Sequence, residues 1–299
     1  MINQLGRNMR HLIGIVSDAY IGNNEFGIDF ETFQKNGIES LDYQDLMCLH
    51  GDPDLNHMPM TELEAYLTRL YKETRKYNLV INQLHALWDS TFKNEGEYDM
   101  FDYYDRAIYA ASILKTKFVV IHPIPLKGHY LWEKVDYDKI VKTNKELINR
   151  LLPSARKYNI YIAVENLPFV GLGEFFSPSG TLKFVEEINH PNVVMCLDTG
   201  HFNMFGEEKI YDFILKAGNK IGCLHIHDNK GSTDSHSIPR LGTFDWEMFI
   251  KGLKKAGFAG VLSLETKISP DGLSEKAYKL LNDSLITIIT DMRDELDKG

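Results

Sequence analysis

Residues 193–227 read VVMCLDTGHFNMFGEEKIYDFILKAGNKIGCLHIH. Two short apolar runs, VVMCLD (193–198) and IGCLHIH (221–227), flank EKIYDFILKAG (208–218), where apolar residues recur every three or four positions. A strand, a helix and a second strand in that order make a βα repeat with parallel strands. The same alternation extends in both directions. Upstream lie LIGIV (12–16), IESLDY (38–43), LVINQLH (79–85), FVVIHP (118–123) and IYIAVEN (160–166), and downstream GVLSLET (260–266). Helical periodicity fills the intervals at 61–78, 98–115, 137–159, 179–189, 245–257 and 274–297, with a short first helix in DFETFQKNG. Pro153 is expected to kink or restart the 137–159 helix, and the glycines of KAGNK and KKAGF fall just past a last turn, where a left-handed residue closes a helix. Eight strands, each followed by a helical stretch, predict an α/β chain folded as a single (β/α)8 TIM barrel over residues 1–299.

Composition agrees. A chain of 299 residues, 43% of them hydrophobic, can fill a barrel of about 250 residues. The net charge of -9, from 42 acidic and 33 basic residues, repels polyanions, so no nucleic-acid partner is expected. Cys48, Cys196 and Cys223 form no CxxC pair and no disulfide framework, which fits a reducing compartment. The N-terminal apolar run from Leu12 to Val16 is too short for a leader, and no run approaches the roughly 20 residues of a membrane span. The expectation is a soluble, cytoplasmic protein.

In a parallel barrel, reactive groups project from the C-terminal ends of the strands. Here those ends carry His85, His122, Glu165, Asp198 with His201 just beyond, His225 and His227, and Glu265. The carboxylates at 165, 198 and 265 follow the apolar triplets IAV, MCL and LSL. Three carboxylates buried together repel one another and lose hydration unless a cation compensates them. A divalent metal is the economical compensation, with Glu165, Asp198, Glu265 and one imidazole as its shell. His225 and His227 point to the same side of their strand. His227, nearer the strand end, is the expected ligand, and His225 is expected to pack one layer deeper. One ion is expected, Mn²⁺ or Mg²⁺ first, with Co²⁺ or Zn²⁺ as alternatives. Capping of the following helix is the competing role for Asp198 before TGH.

VEN (164–166), LDTGH (197–201), HIHDN (225–229) with DSH (234–236), GTFDW (242–246) and LET (264–266) together resemble the xylose-isomerase-like barrels. That superfamily contains sugar isomerases and epimerases, inosose dehydratases and metal-dependent abasic-site endonucleases. Resemblance to its ketose 3-epimerase branch implies that Glu165 and Glu265 bind metal and also shuttle the proton, that Asp198 and His227 complete the shell, and that His201 contacts substrate oxygens. Those epimerases carry an acidic residue six positions after the strand-five glutamate, where this chain has Gly171. His85 and His122 occupy positions that bind an additional zinc in the endonuclease branch, and Asp234 with His236 resembles that branch's DxH pair.

The function expected is a metal-dependent isomerase or epimerase of a small sugar or ketose, working by proton abstraction next to a carbonyl and a metal-stabilised enediolate. Return of the proton to the same carbon from the other face gives epimerisation; return to the neighbouring carbon gives isomerisation. A dehydratase of the inosose type, an abasic-site endonuclease and a non-catalytic sugar-binding barrel are the alternatives. His85, His122, His201, Asp234, His236, Trp88 and Arg240 are the candidate substrate contacts, Trp88 as a wall for one face of the sugar. Trp246 is expected to pack. The aromatic loop 123–132, with Trp132, suggests a lid or a subunit contact, and a homodimer or homotetramer is expected from it.

Overall fold

The computed structural model describes residues 10–47, 53–88, 100–124, 136–171, 173–206 and 208–298. Cys48, Trp132 and most of the 123–132 loop lie outside them.

Eight parallel strands form the inner wall: β1 (Ile13–Val16), β2 (Ser40–Tyr43), β3 (Val80–His85), β4 (Phe118–Ile121), β5 (Tyr161–Glu165), β6 (Val193–Asp198), β7 (Ile221–His225) and β8 (Leu262–Leu264). They pair in the order β7-β6-β5-β4-β3-β2-β1-β8. An isolated parallel bridge, Ile226 with Leu264, brings the two ends of that sheet together. The predicted (β/α)8 barrel is the fold observed.

The outer layer consists of α1 (Phe30–Lys35), α2 (Met60–Lys76), α3 (Met100–Leu114), α4 (Tyr137–Tyr158), α5 (Pro178–Ile188), α6 (Thr199–Phe205), α7 (Ile210–Ala217), α8 (Trp246–Ala256) and α9 (Glu275–Asp297). Each long helix buries one stripe. In α4 that stripe is Ile140, Val141, Asn144, Leu147, Ile148, Leu151, Leu152 and Ala155, the three- and four-residue spacing of a single face. The α4 helix runs through Pro153 without restarting there and ends at Asn159, a left-handed residue whose N–H returns to the last turn. Helix starts are set by side-chain caps from Asp29, Asp136, Ser177, Asp198, Asp245 and Ser274. Gly257 closes α8 in the left-handed region, as its position after KKA predicts.

Most of the apolar core lies between strands and helices. A smaller cluster of Val120, Ala163, Val194, Cys196 and Cys223 fills the barrel interior. Both described cysteines are unpaired and buried there. No helix among the described residues is long and apolar enough to cross a membrane.

Candidate functional site

Above that apolar plug, the strand ends carry chemistry. Glu165 closes β5, Asp198 closes β6, His225 closes β7, and Glu265 follows β8. One donor atom from each lies within 4.8 Å of the others. Nδ1 of His225 stands 3.3 Å from Oε1 of Glu165 and 3.3 Å from Oε2 of Glu265. With metal–ligand distances of about 2.0–2.2 Å, neighbouring donors of a tetrahedral shell stand roughly 3.3–3.6 Å apart. Oε2 of Glu165, Oε2 of Glu265 and Nδ1 of His225 are buried with no hydrogen-bond partner. Buried polar atoms are ordinarily satisfied, so two bare donors, Nδ1 of His225 and Oε2 of Glu265, at ligand-to-ligand spacing from each other and beside Oε1 of Glu165 fit a divalent cation.

The histidine of this group is His225, where the sequence reading expected His227. The reason is register. Met195 pairs with Ile221 but Cys196 with Cys223, so Gly222 is an extra residue in β7 and Asp198 lies opposite His225. A Cβ at Gly222 would stand 2.5 Å from a Val194 methyl and 2.9 Å from the Phe118 ring, so only glycine fits the bulge as it stands. His227 lies past the strand, with Nε2 donating to Oδ2 of Asp198 at 2.9 Å. Its ring rests on Gly200, where a Cβ would be 2.0 Å from Cε1, and stacks on His236 with centroids 4.0 Å apart.

Asp198 takes the capping role. Its Oδ1 accepts the His201 N–H at 2.6 Å, capping α6, while Oδ2 meets His227.

A second group, His201, His227, Asp234 and His236, adjoins the first. Asp234 and His236 come from the loop between β7 and α8. Nε2 of His201 is 3.1 Å and Nε2 of His236 3.4 Å from Oδ2 of Asp234. On the other side, Nε2 of His85 and of His122 stand 3.4 and 3.2 Å from Oε2 of Glu165. Three of these rings share a device. Nδ1 of His85, His201 and His236 each lies 2.8 Å from a backbone carbonyl, of Ala86, Asn166 and Glu265 respectively. A carbonyl only accepts, so Nδ1 carries the hydrogen and Nε2 is left toward a carboxylate. Each such pair closes through a proton on Nε2 or through a cation.

Charge divides the carboxylates. Burial works to raise Glu165, yet His225 and His122 hold it well below the usual carboxylate range. Burial raises Glu265, and the negative neighbours Glu165 and Asp198 add to it against the pull of His225. Burial opposes charge at His236 also, but the Asp234 hydrogen bond and the Glu265 charge push it up to about 9. His122 goes the other way, down to about 4, because burial outweighs the attraction of Glu165.

At the mouth, Trp88 is 42% exposed and meets the His122 ring edge-on at 5.9 Å. Trp246 is buried, with its indole N–H on Asp228 at 2.8 Å, so it packs as expected. Arg240 does not reach the cluster: its guanidinium pairs with Glu295 of α9 at 2.9 Å, on the exposed surface. The sequence expectation of a substrate contact there is corrected, because a left-handed backbone at Arg240 turns the loop and an outer-helix carboxylate takes the charge. Asp42 of β2 was not anticipated. It stands buried, 3.0 Å from Nε2 of His225, and its signal was an aspartate inside the apolar strand LDY.

Residues 35–284 match the family described as xylose isomerase-like TIM barrel. The chain belongs to that family. It is 33% identical over 177 residues to an uncharacterized protein of Methanocaldococcus jannaschii, covering 57% of each chain. It is 28% identical over 165 residues to the inosose isomerase of Bacillus subtilis strain 168, covering 51% of this chain and 54% of the relative. The matched stretches thus span little more than half the length of these two relatives. Among solved structures, the IOLI protein with a binding zinc atom superposes with a TM-score of 0.68 at 20% identity, covering 97% of this chain and 98% of that one.

Proposed function

We propose that the chain is a divalent-metal-dependent isomerase or epimerase of a small sugar or related polyol ketone, with Glu165, Asp198, His225 and Glu265 as the ligands. The observation that carries this is the convergence of Glu165, Asp198 and Glu265 on His225, with Nδ1 of His225 and Oε2 of Glu265 facing each other bare at 3.3 Å. The family match, the inosose isomerase relative and the zinc held by the IOLI protein support it. A bound divalent ion polarises a carbonyl and stabilises the negative charge that develops when the adjacent carbon loses its proton.

The chain supplies the proton movement. Glu165 and Glu265 enter the cluster from β5 and from the end of β8, and His225 stands between them. Glu165, held charged, is suited to remove a proton. Glu265, on the other side of His225, is placed to return one. Return to the same carbon gives an epimer, and return to the next gives an isomer. Trp88 and His122 form one wall for the sugar, with His85 deeper beside Glu165. His201, Asp234 and His236 form the other.

The test is twofold. Metal analysis should find a bound divalent ion, and incubation of a ketose panel in D₂O should place solvent deuterium on carbon. Glu265→Gln should lower exchange at least about 100-fold, the scale of general acid–base catalysis, and weaken metal binding with it. A metal-loaded chain that exchanges no proton with any sugar would overturn the isomerase reading.

The second group of ligands favours one alternative. If the His201, Asp234, His236 group and the His85, His122 pair also take ions, three metals per chain would point to hydrolysis, as in the endonuclease branch. Cleavage of an abasic-site duplex would then be the assay. The net charge of -9 weighs against that substrate.

A further inference from the structure

Two buried aspartates near the cluster are supported in opposite ways. Asp228 accepts the backbone N–H groups of Asn229 at 2.8 Å, Gly242 at 2.9 Å and Phe244 at 3.3 Å, and the Trp246 indole at 2.8 Å. Such a carboxylate ties a loop together, here the one that carries Asp234 and His236. Asp42 is as deeply buried, yet among the described residues its hydrogen-bond donor is a single amide, Nε2 of Gln83, 2.9 Å from Oδ2. Its Oδ1 has no partner. A buried charge with so little support is costly unless something compensates it. What faces it is Nε2 of His225, 3.0 Å from the same oxygen.

The contact is close in distance but not aligned as a hydrogen bond, since neither ring nitrogen of His225 has a hydrogen-bond partner; a carboxylate oxygen beside Nε2 favours the tautomer with its hydrogen there. Nδ1 is then the atom turned toward Glu165 and Glu265. This is the reverse of His85, His201 and His236, which give Nδ1 to backbone carbonyls. No backbone carbonyl holds His225 in this way among the described residues; a carboxylate oxygen stands 3.0 Å from its Nε2 instead.

We infer that Asp42 is a positioning residue that fixes His225 in the tautomer and orientation whose bare Nδ1 joins Glu165, Asp198 and Glu265, an assignment that rests on the metal reading proposed above. Carboxylates behind metal-bound imidazoles orient the ring and raise its basicity. The chain of support continues outward. Leu41 pairs with Ile81 but Asp42 with Gln83, so β3 slips by one residue at Asn82. The slip sets Gln83 opposite Asp42, from where its amide also reaches the Leu224 carbonyl at 3.3 Å, one residue before His225. Asn82 in turn donates to Oε1 of Gln83 at 2.7 Å. Gln83 therefore ties β2 and β7 to each other across the barrel interior.

The experiment titrates Co²⁺ into the metal-free full-length chain, reading affinity, the d–d absorption band and the thermal midpoint of the metal-free form. Asp42→Asn should weaken Co²⁺ binding about 10–100-fold, the range for removing such a partner, and should shift the band. Gln83→Met should move both in the same direction by less, and it decides the matter if Asp42→Asn does not fold. Affinity within about twofold of wild type in every variant that folds would overturn the inference and leave Asp42 a structural residue, whatever the midpoint does. Glu265→Gln separates the two readings. If it loses Co²⁺ while Asp42→Asn keeps it, only the role of Asp42 falls. If the wild type takes up no Co²⁺, the metal reading falls and this role with it.

Discussion

Asp45, three residues beyond Asp42, shows what becomes of a carboxylate near a strand end when no imidazole among the described residues faces it. Burial pushes its carboxyl up from 3.8 to about 6; Tyr43 pulls against this and the charge of Asp18 adds to it. A folded-state value above the unfolded one means that the charged form costs stability. The cost is absent below about pH 4, grows as pH rises through about 6, and is constant beyond. Asp45→Asn should therefore add stability on the order of 1–2 kcal/mol at pH 7–8, seen as a higher thermal midpoint, and leave the midpoint unchanged at pH 4. Midpoints measured across that range check it. The acids inside the cluster were easier to anticipate. Glu165, Asp198 and Glu265 each follow an apolar triplet, and charge at the end of an apolar strand is conspicuous in sequence. Asp42 was not anticipated, because one aspartate between Leu41 and Tyr43 gives no hint of the histidine that meets it from five strands away. Arg240 was misplaced for a related reason: nothing local in the sequence indicates that Glu295, 55 residues on, takes its charge.

At the scale of the element, the strand runs were legible because apolar residues concentrate where both faces of a parallel strand are covered. VVMCLD, read as a strand over 193–198, is β6 to the residue. The short helix α6 was not anticipated, since a loop and about two turns of helix can share polar and glycine-containing composition, here TGHFNMF. What a single strand cannot disclose is its register with a neighbour. The bulge at Gly222 decides which histidine of HIH lies level with Asp198, and that depends on β6 as much as on β7. Gly222→Ala should be destabilising by about 1–3 kcal/mol, the usual cost of overpacking, as measured by denaturant unfolding. It should also weaken metal binding, because relieving the contacts with Val194 and Phe118 moves His225 away from Glu165. A variant as stable as wild type with unaltered metal affinity would contradict that account of the bulge.

Across the whole molecule, the eight strands are not joined equally. β1 pairs with β8 over three residues, whereas β7 meets β8 through the Ile226–Leu264 bridge alone among the described residues. Two backbone hydrogen bonds hold that join: Ile226 N–H to the Ser263 carbonyl at 2.8 Å, and Glu265 N–H to the Ile226 carbonyl at 3.0 Å. His225 and Glu265 stand on its two sides. An ion gripped by both would act as a clasp across the narrowest join in the ring. Amide hydrogens of residues 225–227 and 262–266 should then exchange with deuterium more slowly in Co²⁺ than after chelation, while β4 and β5, joined over four residue pairs, change little. Bound ligand stabilises the closed form by mass action, so stripping the metal should leave a barrel that unzips first between its seventh and eighth strands.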